Sequence, residues 1–251
     1  MLQEQRYDLI LKFLKETGSL SMQELIERLN VSRETVRRDL RDMEEKGLLT
    51  KVHGGAVLNR VGEEPPYAVR TTAHQQEKQG IAAAALALVD DGDTLFIDSG
   101  TTALAFAHTL IAKRNLTVFT HSLPVAVALS EYNVRVYLCG GMLRPGELAL
   151  SGVIANRIAE NLYVDKAFLS ADGVSLEHGV TYFHLEEAEL RRLILDKASK
   201  VIVLTDHSKF GVTAFVKTAS LNDIDYLVTD NHLSNQAVTQ LTEAGVRVIQ
   251  A

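Results

Sequence analysis

Beyond residue 75 the chain alternates seven short apolar runs with helix-like segments, and this alternation restricts the fold more than any other feature. The runs are 94–97, 116–120, 134–138, 167–170, 201–205, 226–229 and 246–249. Helical patterns lie near 76–89, 102–113, 123–131, 151–161, 184–198 and 233–243. Runs that are apolar at consecutive positions suit strands buried on both faces, so the pattern predicts an α/β fold on a mostly parallel sheet. Ligands of such sheets bind outside the carboxyl ends of the strands. Five runs end in small, hydroxyl or charged residues. These are Asp98-Ser99-Gly100-Thr101-Thr102, Thr120-His121-Ser122, Cys139-Gly140-Gly141 with Arg144, Ser170-Ala171-Asp172, and Thr205-Asp206-His207-Ser208-Lys209. Gly100 lets the backbone approach a ligand, and the amides of a helix starting near Thr102 suit an anion such as phosphate. Taken alone, that segment reads equally well as an ordinary strand-to-helix turn with hydroxyl caps. The five ends together predict a polar cleft for a small anionic polyol.

The first sixty residues read differently. Residues 3–16 form an amphipathic helix with Leu9, Ile10, Phe13 and Leu14 inward, and 21–30 form a second, shorter one. After a tight Asn30–Val31 connection, Ser32 is a good N-cap for a third helix carrying Val36, Leu40 and Met43 on one buried stripe. Arg33, Arg37, Arg38 and Arg41 fall on its remaining faces. This is the spacing of a helix-turn-helix, although two surface helices with solvated arginines would share part of the pattern. Gly47 can close the helix in a left-handed conformation. Residues 48–52 then suit a short strand, and Gly54-Gly55 suits a sharp turn, so a β-hairpin wing is predicted with Lys51 and His53 placed to meet the DNA backbone. The expected organisation is a winged helix-turn-helix at 1–57, a linker at 58–75 containing Pro65-Pro66, and a larger domain at 76–251.

Charge supports that division. Residues 1–60 hold 11 Lys+Arg against 10 Asp+Glu, whereas the remainder holds 15 against 22. The acidic excess therefore sits away from the DNA-reading segment. One cysteine, Cys139, excludes an internal disulfide and reads as a buried structural thiol. No Cys/His cluster has metal-ligand spacing, so neither metal nor cofactor is expected. The start of the chain is polar and helical, and no apolar run is long enough to span a bilayer, so a cytoplasmic protein away from membranes is expected.

These motifs, in this order, resemble a transcriptional regulator of the DeoR family over essentially the whole chain. The resemblance rests on Thr35 to Leu40, His53-Gly54-Gly55-Ala56, Ile97 to Thr102, Gly140-Gly141 with Arg144, and Asp206 to Gly211. Lys51 stands where many relatives have arginine, which keeps a phosphate contact but loses bidentate geometry. The resemblance implies a bacterial repressor of carbohydrate metabolism, with a C-terminal domain similar in fold to ribose-5-phosphate isomerase and helices on both sheet faces. That domain would bind a phosphorylated sugar or polyol, and the protein would act as a dimer or tetramer on double-stranded operator DNA. Ser32, Arg33, Thr35, Arg37, Arg38, Lys51 and His53 would contact DNA. Gly100, Thr101 and Thr102 would hold the phosphate, with Lys209 as a positive charge and Asp98, Asp172 and Glu186 meeting hydroxyls. Ser99, Ser122, Gly140, Gly141 and Asp206 complete the expected effector site. Arg144 is read either as an anion contact or as a salt bridge to Glu147, and His121, His184 and His207 as structural histidines.

The competing reading is a sugar-phosphate isomerase fused to a DNA-binding module, with Asp172, Glu186 and Lys209 as base and electrophilic helper. Glu186-Glu187 is also simply a favourable acidic first turn of a helix. The winged helix favours sensing over turnover, and no catalytic residue is assigned. A nucleotide-binding regulator is disfavoured, because the chain has neither a Walker-type lysine loop nor a G-x-G-x-x-G turn.

Overall fold

The computed structural model describes residues 2–17, 19–45, 48–52, 54–58, 64 and 67–251. Gly47, His53 and Pro65-Pro66 lie outside the described residues. The chain divides into two compact units, residues 1–73 and 74–251.

The first unit contains α1 (Gln3–Thr17), β1 (Ser19–Ser21), α2 (Met22–Leu29), α3 (Arg33–Glu45), β2 (Leu49–Val52), β3 (Gly55–Leu58) and α4 (Tyr67–Thr72). The last of these falls inside the stretch expected as a linker. Ser21 caps α2 in a reciprocal box with Glu24, and Asn30 ends the helix in the left-handed region at φ 50°. Ile10, Leu14, Leu25, Leu29, Val36, Leu40, Met43 and Leu49 share one buried cluster, which holds the three helices together. The predicted two-stranded wing is a three-stranded antiparallel sheet in the order β1-β3-β2. Gly54, at φ +90°, makes the turn. Gly55 does not, contrary to expectation. It opens β3 opposite Ser21, where a β-carbon would lie 2.0 Å from the Leu20 carbonyl oxygen.

The second unit contains α5 (Gln75–Leu86), β4 (Thr94–Ile97), α6 (Thr101–Thr109), β5 (Thr117–Thr120), α7 (Leu123–Ser130) and β6 (Arg135–Leu138). There follow β7 (Met142–Leu143), β8 (Leu150–Ser151), α8 (Val153–Ala159), β9 (Val164–Leu169), β10 (Gly173–Ser175), β11 (Gly179–Tyr182) and α9 (Leu185–Leu195). The unit ends with β12 (Ala198–Leu204), β13 (Val216–Ala219), β14 (Tyr226–Thr229), α10 (Asn235–Glu243) and β15 (Arg247–Gln250).

Seven strands form one wholly parallel sheet in the order β15-β14-β12-β9-β4-β5-β6. Successive side chains alternate between its faces. Leu95, Ile97, Phe168, Ile202, Leu204 and Val228 pack with Ile81, Phe106 and Val125, placing α5, α6 and α7 on one face. Phe96, Ala167, Leu169 and Val201 pack with Ala155, Leu190 and Ile194 on the other, beneath α8 and α9. Val203 and Leu227 meet α10 through Ala237 and Leu241. The sheet is thus covered on both sides, which is why its strands read as continuous apolar runs.

The strand order places a topological switch at the centre. From β4 the chain moves outward through β5 to β6, then returns to β9 on the other side of β4 and moves outward again. Crevices at such points collect the loops that follow the two central strands. A small antiparallel sheet, β10-β11-β13, and a short β7–β8 hairpin were not legible in the periodicity.

Candidate functional site

In the first unit the apolar stripe of α3 is fully buried while Arg33, Arg37, Arg38 and Arg41 are exposed. The Thr35 amide donates to Ser32 Oγ at 3.2 Å, and the two hydroxyls lie 2.8 Å apart, so the predicted cap is present. Asp39, next to Arg38, turns inward. Arg6 of α1 grips it with Nε to Oδ2 at 2.5 Å and Nη2 to Oδ1 at 2.9 Å, a bidentate pair that fixes α3 against α1. Lys51 is less free than expected: its amide donates to Glu44 at 2.7 Å and its Nζ lies 3.4 Å from the same carboxylate. His53 lies outside the described residues.

In the second unit the ends of β4 and β9 meet at the switch point. Asp98, at the end of β4, is fully buried. Its Oδ1 accepts from the Ser99 amide at 2.8 Å and from Arg191 Nε at 3.0 Å, and lies 2.8 Å from His121 Nε2. Its Oδ2 accepts from the Ser170 amide at 3.0 Å and from Arg191 Nε at 2.8 Å. Burial alone would raise this carboxyl's pKa; the adjacent Arg191 charge and the bond from His121 outweigh it and hold Asp98 at about 2. An oxygen set this fully engaged anchors the site and leaves no acceptor for a ligand hydroxyl, the role expected from sequence.

Arg191, on α9, is the centre of the cluster. Its Nη2 donates to Ser99 Oγ at 3.0 Å and to Glu187 Oε2 at 3.1 Å, and its guanidinium lies 4.1 Å from the Tyr182 ring. Burial would lower its pKa, but Asp98 and Glu187 push it well above the ordinary arginine value. Glu187 is also buried, and there too Arg191, with His121 and Arg144, overrides burial and keeps the carboxyl ionised below its usual range. Arg144 Nε is 2.6 Å from Glu187 Oε1, an ion pair without hydrogen-bond alignment, and its Nη2 is 3.6 Å from Glu147. Both sequence readings of Arg144 omitted its nearer partner. His121 Nδ1 lies 3.1 Å from the Leu150 carbonyl oxygen, and its ring stacks on Phe96, as befits a structural histidine.

Gly100 sits at φ +104° and precedes α6; a β-carbon there would lie 3.0 Å from Ser170 Oγ, which itself donates to the Ser99 carbonyl at 2.7 Å. Thr101 is half-buried and Thr102 buried. The first amides of α6 have no acceptor within the helix, and free amides of this kind are chemically suited to an anion. Gly141 is needed because a β-carbon would strike the Ser151 carbonyl at 2.4 Å, and Gly140 adjoins Ile154. Ser122 is buried and caps α7 through the Val125 amide. Asp172 accepts from the Phe183 amide at 3.0 Å. Glu186 is exposed; its neighbour Glu187 is the one that enters the cluster. Sequence reading missed Glu187 and Arg191, although their i,i+4 spacing on an amphipathic helix was the available signal.

A second group follows β12 and β14. Asp206 is buried and accepts from the Ser208 amide at 3.0 Å. Burial is opposed by His74, Lys209 and Lys78, which together leave its pKa lowered. Lys209 is half-buried. His207 Nδ1 lies 2.9 Å from Asp230 Oδ1, and that bond raises the imidazole pKa against the effect of burial. Cys139 is buried, which pushes its thiol up to about 11. No helix among the described residues is long and apolar enough to cross a membrane.

Residues 6–61 match the DeoR-like helix-turn-helix domain, and residues 73–231 match the DeoR C-terminal sensor domain. The transcriptional regulator GolR of Listeria innocua is 35% identical over 97% of both chains. The transcriptional repressor GlcR of Bacillus subtilis is 38% identical over 97% of this chain and 94% of its own. The glycerol-3-phosphate regulon repressor of Escherichia coli is 34% identical over 92% of both. Among solved structures, ribose 5-phosphate isomerase A from Methanocaldococcus jannaschii is similar over 55% of both chains, at 18% identity and a TM-score of 0.41. The named relatives are regulators rather than enzymes, and this chain, with its helix-turn-helix and sensor units, belongs to the DeoR family of DNA-binding transcriptional regulators.

Proposed function

We propose that this regulator represses a carbohydrate operon, and that a phosphorylated sugar or polyol, bound at the β4/β9 switch point, sets its operator affinity. The observation that carries this reading is the convergence there of Gly100, the start of α6 and Ser170 above a buried Asp98–Arg191–Glu187 cluster. The loop supplies amides and hydroxyls for a phosphate, and the cluster fixes the loop from beneath. Arg144 is the cation placed to change partners: an entering anion competes with Glu187 for it. Lys209 and Asp172 complete the polar edge. The name of the Escherichia coli relative, a glycerol-3-phosphate regulon repressor, supports a small phosphorylated polyol as the ligand class.

On the DNA side, Arg37 and Arg38 reach base edges, while Ser32, Arg33, Thr35, Lys51 and His53 serve phosphates. Paired half-sites require at least two copies, so the domain expected at 76–251 also carries oligomerisation, and the protein works in the cytoplasm where its operator is. A thermal-shift screen over sugar and polyol phosphates tests the reading, because a ligand that binds only the folded state must stabilise it. A phosphorylated ligand should raise the melting temperature in wild type and leave Thr101→Val and Lys209→Ala unmoved. A shift retained in both variants would place the ligand elsewhere.

A further inference from the structure

Three elements of the second unit bring imidazoles and carboxylates together at one strand-end edge, away from the Asp98 cluster. His207 follows β12, Asp230 and His232 follow β14, and Glu77 lies in the first turn of α5. One ligand atom from each of His207, Asp230 and His232 lies within 4.8 Å of the other two. The separations are 2.9 Å from His207 Nδ1 to Asp230 Oδ1 and 3.2 Å from His232 Nδ1 to the same oxygen. Glu77 Oε1 is 3.8 Å from His232 Nδ1. Metal bonds of about 2.0–2.1 Å at tetrahedral angles separate neighbouring donors by roughly 3.3 Å. The His207, Asp230 and His232 donors already lie near that spacing, and Glu77 adjoins the group through His232.

The cluster is also built to hold its shape. The Asp230 carboxylate accepts the backbone amides of both histidines, His207 N to Oδ2 at 2.8 Å and His232 N to Oδ1 at 2.8 Å. Those bonds fix the carboxylate between the two rings and leave the ring nitrogens turned toward it. The His207 and His232 rings meet edge-on with centroids 5.1 Å apart, and His74 brings a third ring to 5.3 Å from His207. His74, Lys209 and Lys78 all act electrostatically on Asp206, so the nearby lysine charge has a counter-ion of its own. Two imidazoles with two carboxylates suit a first-row divalent transition metal rather than Mg2+ or Ca2+, which prefer all-oxygen shells.

We propose that Glu77, His207, Asp230 and His232 form a binding site for a divalent transition-metal ion of the Zn2+ class. The ion ties α5, at the start of the sensor unit, to the ends of β12 and β14. The site shares the 206–209 turn with Lys209, but none of its four ligands is a residue of the phosphate cradle, so absence of metal binding would leave the effector reading untouched.

Zn2+ titrated into metal-stripped, full-length protein carrying no polyhistidine tag tests the proposal. One ion per chain should bind, and at about 100-fold excess over Kd the melting temperature should rise by roughly 5–10 °C. Co2+ in its place should give a ligand-field band in the visible. His232 is 66% exposed, so His232→Ala should fold normally and lose at least about tenfold in Zn2+ affinity. Glu77→Gln should weaken binding less, and His178→Ala, an exposed histidine outside the cluster, should change nothing. Absence of saturable Zn2+ binding, or wild-type affinity in His232→Ala, would overturn the assignment.

Discussion

The two units place their arginines in opposite ways. In α3, Arg33, Arg37 and Arg38 stand on the surface of a helix whose buried face is apolar apart from Asp39, so their charge remains hydrated. In the sensor unit, Arg191 is buried among Asp98, Glu187 and Tyr182 and has no solvent to hydrate it. Exposed charge is an output, tunable by salt and by partner. Buried charge is a framework that tolerates no missing member. Arg6–Asp39 shows the framework role in miniature, a part-buried pair that joins α1 to α3.

The contrast can be broken at its most sensitive point first. Arg191→Leu leaves two buried carboxylates without their counter-charge and should destabilise the sensor unit by about 3–5 kcal/mol, read as a melting temperature roughly 10 °C lower. A loss below about 1 kcal/mol would show that the cluster is hydrated rather than sealed. Acid titration probes the same cluster more gently. Asp98 has a folded pKa of about 2, depressed from 3.8, so the stability it contributes is present above about pH 4 and lost as pH falls toward 2. The amount is roughly 2 kcal/mol, and Asp98→Asn should remove that part of the acid sensitivity.

Arg37→Ala tests the exposed side: operator affinity should fall by about 1–3 kcal/mol, while stability stays within roughly 0.5 kcal/mol. Equal operator binding by the Arg37→Ala, Arg38→Ala double variant would remove α3 from the groove. Lys51→Ala should have the smallest effect, because its charge is shared with Glu44. A drop of a full unit in the salt dependence of binding would instead mean that Lys51 leaves Glu44 for a phosphate in the complex.

Legibility followed the same division. Elements with strong periodicity were readable: the apolar stripe Val36, Leu40 and Met43, and the seven core runs of the parallel sheet, all of which form strands within a few residues of expectation. Gly55 was misread because its constraint comes from β1, a strand too short to leave a pattern. Asp98 was expected to meet a ligand hydroxyl, but its carboxylate is taken up by Arg191, 93 positions away in sequence, which no local pattern announces. Glu187 lost to Glu186 because adjacent acids on a helix start look alike until the sheet beneath decides which is buried. The cluster of Glu77, His207, Asp230 and His232 left no trace in the spacing of histidines for a related reason: its members lie on different elements and meet only through the sheet.

The central claim is that occupancy of the β4/β9 cleft changes the grip of α3 on DNA. Operator affinity measured with and without the phosphorylated ligand that stabilises the protein tests it most directly, in wild type and in Thr101→Val. The account predicts a change of roughly 5–150-fold in wild type, the ordinary range of allosteric coupling, and none in the variant. An operator affinity that stays constant while the ligand demonstrably binds would contradict it.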